Sequence, residues 1–366
     1  MKKIIIFLWI IFIIFLFLGE DNSTVKNKIF RDLDFENNFD VWNTLDKWER
    51  LLWIDITMDK CNDYIKSVKL AEELKFDFTT LSISWDDIEI KPYEYKNENL
   101  KLANDYYPWE NIKLAVIITP IDTNNLRLPK DLKDKKLNDK EVINRFKWTI
   151  DFVLKELNNV DIISLSIWNE IDLYLQNDVE KWNEYTIFYK EISEYLHKKN
   201  NNLKIWTKIT LYWLTKDNIN NSKKINKYSD TILATYYPLN NDFSVKNIEV
   251  VDSDLKLLVN LYKKEIQLLE SWYPEWKYTK SSVIDQSLFF HQLFQVWDKY
   301  KNSIKVVNIN WLHDRSSTEL SYFKKYYGSW NKAFLDFLWS LWLISYNWDK
   351  KSSFYIIKKE IKARKW

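Results

Sequence analysis

The stretch Ile162-Ile163-Ser164-Leu165-Ser166-Ile167-Trp168-Asn169-Glu170-Ile171-Asp172 decides how the chain is read. It begins as β-branched and apolar residues with small serines between them, the pattern of a strand buried in a parallel sheet. It breaks off in Asn169-Glu170, an amide and a carboxylate with no Lys or Arg close by in sequence. A strand that merely stops at a polar turn reads the same way, so the weight of Glu170 rests on its surroundings.

Strand-like and helix-like segments alternate on both sides of this stretch. Residues 51–56, 78–85 and 113–119 read as strands before it, with helical periodicity over 64–75 and 141–157. After it, 203–211, 231–236, 266–270 and 304–311 read as strands, and 179–198, 255–263, 282–300 and 332–343 as helices, the last closing the fold. Eight strands alternating with helices predict an α/β architecture, a single (β/α)8 TIM barrel over residues 46–366. A doubly wound sheet would call for a Gly-rich phosphate loop. None reads out, even with every Trp taken as Gly.

Ahead of the barrel, Met1-Lys2-Lys3 precedes an apolar run from Ile4 to Leu18. A basic start and an apolar run of this length read as an export signal, short for a spanning helix of about 20 residues. Residues 1–20 are therefore expected to be a signal peptide or membrane anchor, and 21–45 a linker and N-terminal extension. The expected location is extracytoplasmic, either secreted or held on the outer face of the membrane through residues 4–18.

Net charge is +2, with both signs mixed along the chain, so nucleic acid is not an expected partner. One cysteine, Cys61, excludes an internal disulfide and a cysteine-based metal cluster. His197, His291 and His313 stand far apart without metal-ligand spacing, so neither a metal nor a cofactor is expected. A monomer is expected.

Glycine usage is abnormal. The chain has 20 Trp and 2 Gly, Gly19 and Gly328, where ordinary usage would give roughly 25 glycines. A barrel with this many turns needs residues that reach positive φ without steric penalty. Trp and Gly together number 22, and several Trp stand where a turn asks for Gly, as in Pro108-Trp109-Glu110, Tyr273-Pro274-Glu275-Trp276 and Asn347-Trp348-Asp349. A gene that uses UGA for glycine, translated with UGA as tryptophan, would give this composition. The richness in Lys, Asn and Ile fits an AT-rich gene. On that reading Trp109, Trp276, Trp330 and Trp348 should lie in turns with indoles facing solvent. Trp168 and Trp272 should crowd their surroundings, and Trp85, Trp182, Trp297 and Trp311 should pack as true tryptophans.

Two carboxylates carry the chemistry. Glu170 closes the fourth strand and Glu270 the seventh, in Gln267-Leu268-Leu269-Glu270-Ser271-Trp272-Tyr273-Pro274. Catalytic groups of such barrels stand at the C-terminal ends of strands, and strands four and seven face one another across the mouth. A facing pair of carboxylates is the machinery of glycoside hydrolysis.

With Asn169-Glu170 on strand four and Glu270 on strand seven, the chain resembles the clan of retaining glycoside hydrolases with (β/α)8 barrels. Ser84-Trp85 after strand two, Tyr236-Tyr237-Pro238 after strand six and Trp311 after strand eight fit the same resemblance. The Tyr-Tyr-Pro turn and Asn-Glu-Ile-Asp are loosely similar to the family 53 endo-β-1,4-galactanases. The resemblance implies Glu170 as acid/base and Glu270 as nucleophile. Asn169 would hold the sugar 2-hydroxyl, Tyr236 or Tyr237 would bond the nucleophile, and the substrate would be a β-linked polysaccharide or oligosaccharide. Trp85 and Trp311 would offer flat apolar faces to sugar rings, unless they serve as core packing. His313-Asp314 reads as a rim turn. The sequence departs from the clan on strand two, Thr79-Thr80-Leu81-Ser82-Ile83-Ser84, which lacks the arginine that many members use to keep the nucleophile ionised. Arg127 is too loosely placed to stand in for it. That departure favours an alternative, a non-catalytic barrel that binds glycans at the cell surface.

Overall fold

The computed structural model describes residues 35–57, 63–310 and 312–366. The expected signal or anchor segment, Cys61 and Trp311 lie outside the described residues.

The barrel strands are β1 (Leu51–Ile54), β2 (Phe78–Ser84), β3 (Lys113–Asp122), β4 (Ile162–Asn169), β5 (Lys204–Trp206 and Lys208–Thr210), β6 (Ile232–Tyr236), β7 (Ile266–Ser271) and β8 (Ile304–Ile309). All barrel neighbours pair in parallel, and β1 pairs with β8 over four residues from Leu51↔Val306 to Ile54↔Ile309. Strand β5 closes the ring in two pieces: the first pairs with β4, the second with β6. Between the pieces, the buried Thr207 hydroxyl bonds the Tyr185 hydroxyl at 2.5 Å. The strands read as near-continuous apolar runs because helices cover them outside and side chains fill them inside. The interior packing has a clear origin. Trp53, Phe78, Ala115, Trp206, Leu233, Leu269 and Val306, one from each of seven strands, form a buried cluster, and Ile163 of the remaining strand, β4, packs against it.

The outer ring is α1 (Tyr64–Glu72), α2 (Glu98–Trp109), α3 (Lys140–Glu156), α4 (Val179–Lys199), α5 (Ile219–Ile225), α6 (Val250–Leu261), α7 (Val283–Lys299) and α8 (Ser352–Ala363). Side-chain caps start many of them, with Asp63, Asn97, Asp139, Asp178 and Ser282 accepting from the first-turn amides. Among the described residues no helix is long and apolar enough to cross a membrane.

One sequence expectation is corrected. The helix expected to close the fold, residues 332–343, is Lys332–Ser340 and lies in the loop after β8, preceded by a second loop helix, Ser317–Tyr327. The closing helix is α8, which buries Phe354, Ile357 and Ile361 at helical spacing. The first loop helix starts with a complete capping box, Ser316 with Glu319, and ends at Gly328 in the left-handed conformation, φ 62°.

The tryptophans divide unevenly. Trp85, Trp182 and Trp297 are buried, as expected of true tryptophans. Trp109 and Trp330 expose 86% and 74% of their surface, but their backbones lie outside the positive-φ region. Trp276 is half-buried against Trp339 at φ −115°. Of the four expected in turns, Trp348 takes positive φ (73°), with its indole half-buried, and positive φ occurs also at Trp48 (55°) and Trp168 (99°). A bulky residue rarely adopts that region.

Candidate active site

The site is assembled where β4 ends. The β3–β4 register slips between Ile118↔Ile167 and Asp122↔Asn169, and Trp168 sits at the slip with φ 99°. Its indole turns outward onto α4, with ring centroids 4.1 Å from Tyr185 and 5.7 Å from Phe188. Its Nε1 has no hydrogen-bond partner among the described residues. Glu170 follows at φ 48°, ψ 58°, left-handed and buried. Two unusual backbone conformations in three residues swing Asn169 and Glu170 around the strand end, and each costs about 1–3 kcal/mol that the surrounding packing must offset.

Three elements hold the two side chains. Asn169 Nδ2 donates to Asp122 Oδ1 at 2.9 Å, and the Tyr326 hydroxyl, from the first β8-loop helix, donates to Asp122 Oδ2 at 2.6 Å. The buried Asn169 Oδ1 has no partner among the described residues. Glu170 Oε1 accepts from Thr235 Oγ1 at 3.0 Å and from the Tyr237 hydroxyl. Thr235 on β6 is the register partner of Glu270 on β7, so the residue that bonds Glu170 stands beside the backbone of Glu270.

Glu270 is buried and forms a salt bridge with the buried Lys208 of β5. Burial pushes the Glu270 carboxyl up, Lys208 opposes this, and Glu170 and Asp55 add to the rise. Burial alone would lower Lys208, but Glu270, Glu170 and Asp55 together hold it above its usual value. Asp55, just past β1, accepts from Trp53 Nε1 at 2.8 Å, from Asn308 Nδ2 at 3.0 Å and from Thr80. Beneath Glu170, Asp172 accepts from the Thr210 amide at 3.0 Å and the Thr210 hydroxyl at 2.7 Å. Burial, with help from Glu170, pushes it up to about 7.

The loop helices roof this cluster. Trp272 is buried against Tyr237, Phe337 and Trp342, at centroid distances of 5.4, 5.6 and 5.9 Å. Tyr327 lies close enough to Asp122, Glu170 and Glu270 that their charges add to the rise of its phenol, which burial drives first.

The structure thus brings Asn169, Glu170, Glu270 and Tyr237 together. Tyr237 bonds Glu170, whereas the resemblance pairs a tyrosine with Glu270. It does not bring Tyr236 or Trp85 into the cluster. The Tyr236 hydroxyl donates to Asp254 of α6 at 3.3 Å and its ring packs near Phe289 of α7, because its position alternates with that of Thr235 and faces the helices. Trp85 is fully buried against Phe146, its Nε1 donating to Glu89 at 2.9 Å. Arg127 binds Asp86 and Asp87. The His313 ring reaches Ser67 Oγ at 3.3 Å, and Asp314 binds Lys351 at 2.7 Å, so this pair ties the β8 loop to α1 and to the start of α8. Sequence reading missed Lys208, Asp55, Asp172 and Thr235. The signal for Lys208 was a lone charge inside the apolar run Ile205-Trp206-Thr207-Lys208-Ile209.

No protein-family model matches the chain, and no curated protein matches it in sequence. Solved structures do match, and they define a class: the fold is the α/β barrel seen in several glycoside hydrolase families. A family 39 glycoside hydrolase from Bacteroides cellulosilyticus WH2 aligns at TM-score 0.60 and 12% identity over 88% of this chain and 66% of that one. GH5_18 from Bifidobacterium longum subsp. longum ATCC 55813 aligns at TM-score 0.68 and 10% identity over 87% and 80%. The GH53 catalytic domain of Ignisphaera aggregans aligns at 0.57 and 13% identity over 86% and 94%. The chain spans about two thirds of the family 39 protein and 59% of an exo-β-1,4-mannosidase from an Opitutaceae bacterium.

Proposed function

We propose that this chain is a retaining glycoside hydrolase acting on a β-linked polysaccharide or oligosaccharide outside the cytoplasm. The observation that carries the reading is the single buried cluster in which Glu170 and Glu270 stand at the ends of β4 and β7, both close enough to Lys208 to raise its pKa. Glu270, as carboxylate, attacks the anomeric carbon while Glu170 gives its proton to the departing glycosidic oxygen. Water then cleaves the glycosyl ester, with Glu170 taking back a proton. The free Asn169 Oδ1 suits a sugar hydroxyl donor. The alternative, a barrel that binds glycans without cleaving them, draws on the absent strand-two arginine and on the burial of both carboxylates, which are 7% and 8% exposed.

The test is a panel of β-linked polysaccharides and aryl β-glycosides, with product anomers followed by NMR. Turnover with retained configuration, lost in Glu170→Gln and in Glu270→Gln, is expected. Binding without turnover in the unaltered protein would favour the alternative, and inverted products would remove the retaining mechanism. Fractionation of cells for the chain tests the extracytoplasmic placement, which rests on residues 1–20.

A further inference from the structure

We infer that Lys208 is a positioning residue for Glu270, placing a buried positive charge beside it from β5; this rests on the glycosidase reading for its purpose but not for its test. The geometry is specific. Lys208 stands on β5 between Thr207 and Ile209, its backbone in register with Leu233 of β6. Its ammonium reaches Glu270 on β7, two strands away, with both side chains buried. Strand β2 offers Thr80, and that hydroxyl is committed to Asp55.

The groups facing Glu270 come from every side of the mouth. They are Lys208 on β5, Glu170 at the end of β4, Asp55 at the end of β1, Tyr237 beyond β6 and Tyr327 of the loop helix. Lys208 is the cation among them, set against three carboxyl groups. A carboxylate buried among other carboxylates takes up a proton unless a cation stands beside it. A protonated Glu270 cannot attack carbon, so the ammonium governs the fraction of molecules competent for the first step. A lysine is a compact point charge, and its three donors leave two N–H groups beyond the one given to Glu270.

The experiment is a titration of Glu270 by carboxyl 13C NMR in the unaltered protein, in Lys208→Met and in Lys208→Arg. Lys208→Met keeps length and removes charge. Its Glu270 midpoint is expected to rise by about one to three pH units, while Lys208→Arg stays close to the unaltered protein. An unchanged midpoint in Lys208→Met would overturn the inference and leave Lys208 a purely structural pair. If Lys208→Met does not fold, the unaltered protein still decides. The Lys208 side-chain 15N resonance must follow the same titration as the Glu270 carboxyl, and independence of the two overturns the inference. With an aryl β-glycoside that is turned over, Lys208→Met should lower kcat and shift the acid limb of kcat/KM alkaline, with KM little altered. Failure to find such a substrate would count against the hydrolase reading, and the carboxyl titration would still decide the role of Lys208.

Discussion

Strands β4 and β7 each deliver a glutamate to the same mouth by different physical means. On β4 the backbone does the placing: Trp168 and Glu170 take positive φ, and the carboxylate turns to the hydroxyls of Thr235 and Tyr237. On β7 no residue takes positive φ, all six residues are buried, the register with β6 shifts by one residue just before Glu270, and Glu270 pairs with the charge of Lys208. Glu170 is thus supported by neutral donors and by stored backbone strain, and Glu270 by a counterion. Donating hydroxyls and a cation both favour the ionised form of a carboxyl group, the cation through its full charge. Lys208 opposes the rise that burial imposes on Glu270 without cancelling it, which runs against the ionised nucleophile that the proposed division of labour requires.

The largest effect expected from breaking either end is on turnover. Glu170→Gln should lower kcat by roughly 10²–10⁴-fold, the scale of general acid catalysis, and Glu270→Gln should lower it further, because no covalent step remains. Equal small losses would mean that neither carboxylate touches the reacting atoms. Added azide offers a finer distinction: it should restore turnover of an activated aryl glycoside after truncation of one carboxylate and leave the anomer formed as a record of which face was opened.

Stability should separate the two ends next. Glu270→Ala leaves Lys208 buried without its partner, and such a loss costs about 3–5 kcal/mol. Glu170→Ala leaves two neutral hydroxyls short of an acceptor and keeps the left-handed strain, because alanine retains Cβ, a loss of about 1–3 kcal/mol. Urea unfolding midpoints measure both. A Glu170→Ala loss as large as that of Glu270→Ala would erase the contrast drawn between neutral donors and charge. For scale, the Lys204–Glu265 pair, in which the lysine is about half exposed, should yield at most about 1 kcal/mol in Lys204→Met.

A pH scan follows from the raised carboxyls. Glu270 is held above its ordinary value of 4.5, and Asp172 and Asp314 at about 7, above theirs of 3.8. Between the ordinary and the raised values the folded chain binds more protons than the unfolded chain. These groups therefore stabilise the fold fully below pH ~4 and lose that contribution as pH rises through their raised values. Paired carboxylates such as Glu73 and Asp131, which are held low, work in the opposite direction at acid pH. The melting temperature should fall from pH 5.5 to pH 8.5, and Asp172→Asn should flatten that slope. A melting temperature that climbs over this interval would show that the cluster is ionised throughout.

The sequence carried the barrel because β-branched runs and helical periodicity are local patterns. All eight strands were legible, with boundaries within a few residues. The mouth was legible only in part. Asn169, Glu170 and Glu270 stood out because polar groups end apolar strands there. Lys208 did not, because a lysine within a run of six residues looks like an edge charge until the ring closes and turns it inward. Tyr236 and Tyr237 looked equivalent, yet alternation along a strand sends one to the helices and the other to the cleft. The closing helix was misplaced because Lys332–Ser340 has its own apolar face, one that covers the mouth rather than the barrel wall. Nothing local distinguishes those two destinations.

The smallest effects concern the tryptophans, and they test whether the strain on β4 belongs to the backbone or to its side chain. At Trp168 two contributions oppose each other. Glycine would remove left-handed strain of about 1–3 kcal/mol but also an indole packed on Tyr185 and Phe188, where large-to-small changes cost about 3–5 kcal/mol. Trp168→Gly should therefore lose about 2 kcal/mol. At Trp48 the ring is 70% exposed at φ 55°, so little packing is at stake. Trp48→Gly should gain about 0.5–1 kcal/mol, the relief of a left-handed L-residue less the added freedom of glycine in the unfolded chain. If both variants gain, the kink before Glu170 is shaped for glycine, in line with UGA read as glycine. A loss at 168 with a gain at 48 instead makes the indole the wedge that holds the kink. Mass spectrometry of tryptic peptides from the native protein decides the same question without a variant. A peptide spanning residue 168 that carries glycine would replace the packing contribution at this strand end, and one that carries tryptophan would keep it.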